Sequence, residues 1–317
     1  MKTLILGGAG FIGLHLARTL VARGHSVTIV DNFSRGRDDP ELAALDVPVL
    51  HADLTDPRAY EEIPHGWDHV YMLAAVVGVR NVEKDPASVI RINTLALLHL
   101  LDWLQPGERL FFASTSEVYA GGVSAGMVSV PTPETVGLMI EDVAAPRFAY
   151  GISKMLGEAA VIHTARAKGI PYVIGRFHNV YGARMGADHV IPELSLRAMR
   201  REDPFRVYGV DQFRAFCHVN DATEAMYRLM MTDAATGEIV HIGNDTEETN
   251  IGELTRLVLR VADFSPELDP VPAPPGSVAR RCPDLTKLRA LTGYEPAVSL
   301  DRGVQHTFEW YRDRQLA

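Results

Sequence analysis

Only two cysteines, Cys217 and Cys282, occur in 317 residues. Two thiols exclude a disulfide framework and a thiolate metal cluster, and they fit a reducing cytoplasm. Long hydrophobic runs are missing as well. No apolar stretch reaches the roughly 18 residues of a membrane helix, and no charged leader precedes the opening KTLIL. These absences lead us to expect a cytoplasmic protein with no membrane partner. Basic charge is in deficit, since 31 Lys and Arg against 40 Asp and Glu leave a net charge of -9. A surface that neutralises nucleic-acid phosphates needs the opposite balance, so no nucleic acid is expected as a partner. A small anion held by a few arginines remains compatible. The twelve histidines are scattered. None forms an H-x-x-x-H pair on a helix beside a carboxylate, so no metal site is expected. There is no internal repeat, low-complexity tract or long run of one charge.

Apolar residues are plentiful at 47%, enough for a sizeable core and more than one lobe. Short β-branched runs alternate with helical periodicity in the first half. Strands are expected at Lys2–Leu6, Ser26–Val30, Val47–His51, His69–Leu73, Leu110–Ala113 and Ile170–Phe177. Helices are expected at Phe11–Ala22, Pro86–Leu104 and Ala149–Ala167. Strands separated by helices imply a parallel sheet covered on both faces. The expected class is therefore α/β, a Rossmann-type doubly wound sheet with a smaller C-terminal α/β lobe for substrate. Residues 1–176 form the first unit and 177–317 mainly the second, with segments near 216–243 returning to the first. Further helices are expected at Pro192–Arg200, Asp221–Met231, Ile251–Ala262 and Leu300–Arg312, with a strand at Glu238–Ile242. Phe264–Pro275 holds five prolines and reads as a connector rather than a packed element.

The first turn after the first strand is Gly7-Gly8-Ala9-Gly10-Phe11-Ile12-Gly13. Glycines at the G-x-x-G-x-x-G positions permit a tight turn and bring backbone close to a pyrophosphate. They also let helix pack on strand. The phosphates then meet free N–H groups at the positive end of the helix dipole. A glycine motif alone is weak, but here a strand precedes it, a helix follows and an acid ends the second strand. That acid, Asp31, suits the hydroxyls of an adenosine ribose and repels a 2′-phosphate, which favours NAD over NADP. Arg35 and Arg37 leave NADP open. Asp53 in HADL has two readings, an adenine contact or a helix cap.

Tyr150 and Lys154 lie four apart and share a helix face. Lysine charge beside a tyrosine is expected to lower the phenol pKa, so that phenolate can act as a base. Thr115 opens a second cluster, STSEVY, at the end of an apolar strand. Together these residues resemble the extended branch of the short-chain dehydrogenase/reductase superfamily. Within it they resemble the nucleotide-sugar epimerases, dehydratases and decarboxylases. The resemblance runs along nearly the whole chain through GGAGFIG, VDNFSRGR, HADL, MLAA, STSEVY, AYGISK, RFHNVYGARM, FRAFCHVND, HIGNDTEET and RRCPDLTKLRALTGYEP.

The resemblance implies catalytic Thr115, Tyr150 and Lys154, with NAD as a resident cofactor. It implies cofactor contacts at Gly7, Gly10, Phe11, Ile12 and Gly13, then at Asp31, Asn32, Asp53 and Leu54. Leu73, Ala74, Ala75 and Asn93 complete that set. It implies a nucleotide diphosphate sugar as substrate, with Ser116 near the sugar and Asn179, Arg214 and Arg281 on the diphosphate. It implies a homodimer whose seam is formed by the Pro86–Leu104 and Ala149–Ala167 helices. The shared chemistry is oxidation of the sugar at C4, after which the 4-keto sugar is epimerised, decarboxylated or dehydrated. Glu117, two residues past Thr115, resembles the decarboxylase and 4,6-dehydratase patterns. VDNFSRGR, GNDTEET and RRCPDLTK resemble UDP-glucuronate decarboxylases. RFHNVYG resembles GDP-mannose 3,5-epimerases, and a 4-epimerase stays open. Glu117 is assigned to the step after C4 oxidation, with turn capping as the alternative. Arg80 is either a partner for a sugar carboxylate or an exposed cation at a helix start.

Overall fold

Alternate residues along the short apolar strands point to opposite faces, and that period divides the core in two. The computed structural model describes residues 1–273 and 277–315. Seven parallel strands form the central sheet: β1 (Lys2–Leu6), β2 (Ser26–Asp31), β3 (Val49–His51), β4 (His69–Met72), β5 (Arg109–Thr115), β6 (Tyr172–Phe177) and β7 (Glu238–Ile242). The longer helices are α1 (Phe11–Val21), α2 (Pro86–Trp103), α3 (Ala149–Lys168), α4 (Val190–Met199), α5 (Val219–Met231), α6 (Ile251–Val261) and α7 (Leu300–Gln315). On one face Ile5, Tyr71, Phe111 and Val173 pack against α1 and α5. On the other, Leu4, Leu6, Val70, Met72 and Phe112 pack against α2 and α3.

The strand order is β7-β6-β5-β4-β1-β2-β3. From β1 the chain moves outward one way to β3, then returns to β4 and builds the other way. The connections that leave the strand ends at this reversal run to opposite sides of the sheet, and open α/β sheets bind ligands there. Here Leu73 and Ala74 both donate their N–H to Leu6 O, at 2.9 and 2.8 Å.

A third apolar cluster lies off the sheet and contains Leu194 of α4, Phe205, Val207, Leu254 and Val258 of α6, and Val304 and Phe308 of α7. The proline-rich connector expected at Phe264–Pro275 requires correction. Its Leu268–Val271 stretch forms a strand paired in parallel with Phe205–Tyr208. A two-stranded edge tolerates proline, because only one side of the strand must supply donors. Pro274 and Pro275 lie outside the described residues.

Candidate active site

The glycine turn is shaped by close approach. Gly7 has φ +86°, and a Cβ there would sit 2.6 Å from Ala74 N. A Cβ on Gly13 would lie 2.3 Å from Gly7 O. Gly10 caps α1 with no side-chain hydrogen bond, and a Cβ there would meet only Gly7 O, at 3.3 Å. The first N–H groups of α1 thus open onto a pocket. That pocket runs from the turn past Asp31, Asn32, Asp53 and Leu54, along Leu73–Ala75, to Ser114, Tyr150 and Lys154.

Asp31 is buried, and its two oxygens accept from Ala9 N at 3.0 Å and Phe33 N at 2.8 Å. Burial raises its carboxyl pKa; those two bonds and the Arg184 charge oppose the rise. Arg184 comes from the loop before α4. It donates to Ala9 O at 3.0 Å and Arg37 O at 2.8 Å, and pairs with Asp39 at 3.1 Å. The sequence reading missed Arg184, because a contact 175 residues from Ala9 has no local signal. Arg35 donates to Val77 O, and Arg37 lies 5.5 Å over the Trp310 ring. Asp53 accepts from Thr55 N at 2.9 Å, so it lines the pocket and holds a turn at once. Asn93 is buried behind the pocket wall. Its amide exchanges two bonds with the Val76 backbone and donates to Ser153 Oγ.

Tyr150 and Lys154 project from the first turns of α3 against the end of β5. The Thr115 hydroxyl lies close enough to the Tyr150 phenol to act on its pKa. The expected lowering of that phenol is not found. Burial raises it first, and the Glu117 charge raises it further, against Thr115 and Arg35. Lys154 sits 4.8 Å over the Phe112 ring centroid and 5.9 Å from that of Tyr150. Burial pulls its amine down to about 7, with Glu158 opposing. A buried ammonium that is itself weakened cannot be counted on to acidify its neighbour.

Thr115 Oγ accepts from Glu117 N at 3.3 Å, so threonine, not glutamate, caps the SEVY turn. The Glu117 carboxylate turns instead to Arg281, which donates to it at 2.6 Å. Burial alone would raise this carboxyl. Arg281, with Arg147 and Arg214 beyond it, outweighs burial and holds it below the usual range. Arg281 is delivered by a short strand, Arg280–Arg281, paired with Phe213–Ala215 so that Arg281 lies opposite Arg214. Thr132 clasps the following turn through Cys282 O at 2.9 Å and Asp284 N at 2.8 Å. Burial, then the neighbouring Arg281 charge, lowers Arg214 to about 10.

Asn179 donates to Ala215 O at 3.1 Å and so pins the Arg214 strand. Ser116 is buried in the turn. Arg80 stands apart on the Val79–Lys84 helix, exposed and paired with Asp188 at 2.7 Å. Arg147, three residues before Tyr150, was also missed by the sequence reading. Among the described residues no group of three His, Cys, Asp or Glu side chains could hold a metal ion.

A model of the NAD-dependent epimerase/dehydratase family matches residues 3–243. The chain belongs to this family. It is 34% identical to a UDP-N-acetyl-α-D-glucosaminuronate decarboxylase from Bacillus cytotoxicus, covering 98% of both chains. It is 31% identical to UDP-glucuronic acid decarboxylase 2 of Arabidopsis thaliana, over 99% of this chain and 69% of that one. Among solved structures it resembles UDP-glucose 4-epimerase from Thermotoga maritima with UDP-glucose. That match has a TM-score of 0.87 and 29% identity, over 99% of this chain and 100% of the other. The Thermus thermophilus UDP-glucose 4-epimerase complex with NAD gives a TM-score of 0.84 at 28% identity, over 98% and 99%.

This epimerase/dehydratase-family enzyme uses NAD, and its own geometry fits the group. The uncapped start of α1 suits a pyrophosphate, and the pocket extends from there to Tyr150 and Lys154. Gly10→Val should therefore fold normally and lose NAD binding, because its side chain enters the pocket rather than the protein. Gly13→Val meets backbone at 2.3 Å and should lower the melting temperature as well. Fluorescence titration with NAD and a thermal scan of both variants would check the contrast.

Proposed function

We propose that this enzyme decarboxylates a UDP-linked uronate sugar, and the Glu117–Arg281 pair beyond Thr115 carries that reading. Bound NAD supplies the acceptor for oxidation at C4 of the sugar. Tyr150 takes the proton from the C4 hydroxyl, and Thr115 holds the same oxygen. The product of that step is a ketone β to the C6 carboxylate, and such acids lose CO2 readily. The electrons left at C5 delocalise onto the C4 oxygen, where Thr115 and the now protonated Tyr150 donate hydrogen bonds.

Glu117 completes the assignment. Its carboxyl is held ionised by Arg281, so it is a poor acid and a good acceptor. It suits orienting a water that gives a proton to C5, with the hydroxide left behind taking its proton from solvent, and not protonation of a departing hydroxyl. That argues against dehydration. Arg281 and Arg214, side by side across the paired strands, bring two cations to one carboxylate, which suits a substrate that carries both diphosphate and carboxylate. The relatives named as decarboxylases support the reading. A 4-epimerase is the second reading, favoured by the structural likeness to UDP-glucose 4-epimerases.

Purified protein should be incubated separately with UDP-glucuronate, UDP-N-acetylglucosaminuronate, UDP-glucose and GDP-mannose, and the products identified by mass and NMR. Loss of CO2 from a uronate is expected. A product of unchanged mass with inverted C4 would establish the epimerase instead.

A homodimer through α2 and α3 belongs to the same reading. Ile90 and Leu98 on α2 and Leu156 on α3 stand 37–49% exposed, an apolar face that a second copy would cover. Light scattering at micromolar protein would test it. A cytoplasmic setting is supported by Cys217 and Cys282, two separate buried thiols. No helix among the described residues is long and apolar enough to cross a membrane.

A further inference from the structure

Lys154 is 3% exposed. An ammonium so placed has lost most of its water. One turn along α3, Glu158 falls on the same helix face and is 2% exposed. Its Oε1 accepts from Ser114 Oγ at 2.6 Å and Arg176 Nε at 2.8 Å; its Oε2 accepts from Arg176 Nη2 at 2.7 Å. Arg176, on β6, is equally buried and gives Nη1 to Glu134 O at 3.0 Å.

An ion pair this deep is a weak source of stability, because desolvation offsets the attraction. Tying α3 to the sheet needs no charge either. Val161 and Ala165 of α3 already pack with Phe112 and Ile174 of the strands. The charges therefore call for another reason, and Lys154 supplies one. On its own helix Lys154 faces Tyr150 and Glu158. β5 presents the Phe112 ring, and β6 presents Arg176 on the far side of Glu158. α2 presents the neutral amide of Asn93, bonded to Ser153 at 3.1 Å. Glu158 is the charged group that opposes the burial of the amine.

We propose that Glu158, clamped by Ser114 and Arg176, is the internal counter-ion and positioning residue of Lys154. Ser114 and Arg176 hold the Glu158 carboxylate in place, and the Glu158 charge opposes the loss of charge that burial imposes on Lys154, whose amine lies 5.9 Å from the Tyr150 ring centroid. The row reads plus, minus, plus, with the single anion shared. The inference rests on Lys154 serving the reaction proposed above. Its test, though, reads the amine directly and needs no knowledge of the sugar.

The experiment uses the full chain without cofactor. Reductive methylation with 13C-formaldehyde labels the amines, and the methyl shift of each follows its charge. The Lys154 signal is assigned by its loss in Lys154→Arg. Glu158→Gln should move the Lys154 titration down by about one unit or more. That variant leaves Arg176 buried without an anion and can fold poorly. Glu158→Gln/Arg176→Met, a neutral pair of similar volume, is therefore measured beside it and should show the same downward shift. Glu158→Asp keeps the charge and should titrate closer to wild type. Turnover adds a second readout. The ammonium is the active form and its pKa has fallen, so activity is lost at lower pH as pH rises. The ratio of variant to wild-type turnover should thus climb as pH drops below neutral. A folded double variant with an unmoved Lys154 titration and an unchanged pH profile would overturn the proposal and leave the pair a strut.

Discussion

Tyr150→Phe should cut turnover about 10²–10⁴-fold, the usual contribution of a positioned general base, while NAD binding stays within a few-fold of wild type. The ring keeps its place at the start of α3; only the oxygen that Thr115 contacts is lost. Burial and the Glu117 charge hold the phenol up, so the wild-type enzyme should show oxidation that rises with pH. The variant should lose that rise along with the rate. Stopped-flow measurement of cofactor reduction across pH checks both. Near-normal oxidation by the variant would remove Tyr150 from the proton transfer and end the mechanism given above.

Glu117→Gln should separate the two halves of the reaction. The amide keeps an acceptor for Arg281 and loses the charge. Product formation should fall about 10²-fold or more, on the scale of a lost proton-transfer group. Cofactor reduction should not fall with it. The Glu117 charge is one of the two causes that raise the Tyr150 phenol. Its removal lowers the phenol pKa, so more phenolate exists at a given pH and the oxidation profile moves to lower pH. Substrate added to the variant should thus leave reduced cofactor standing in the absorbance trace. Equal slowing of both halves would make Glu117 a structural partner of Arg281. Unchanged product formation would favour the 4-epimerase.

The residues that line the pocket around the glycine turn were legible because their signals are local. Gly7, Gly10 and Gly13 fall within seven residues, Asp31 ends the next strand, and Tyr150 and Lys154 share one helix face. Each follows from a short-range constraint: close backbone approach, strand ends, or the period of a helix. The apolar alternation that splits Leu4 and Leu6 from Ile5 likewise required only the two-residue period of a strand.

The rest was decided by the tertiary structure. Thr115 and Glu117 read as neighbours with related tasks, yet only the fold brings Arg281 to Glu117 across 164 positions, to 2.6 Å. That contact depends on a two-residue strand and on the Thr132 clasp, neither of which has a periodic signature. Arg184 reaches the glycine turn from the loop before α4 for the same reason. The phenol of Tyr150 was misjudged because adjacency to Lys154 can be read from spacing, whereas burial cannot. Desolvation depends on everything packed around a group, and here it moves the lysine down and the tyrosine up. Sequence alone therefore determined the sheet, the family resemblance and the glycine turn. Which charges meet, and in which protonation state, was set only when distant segments closed over them and excluded water.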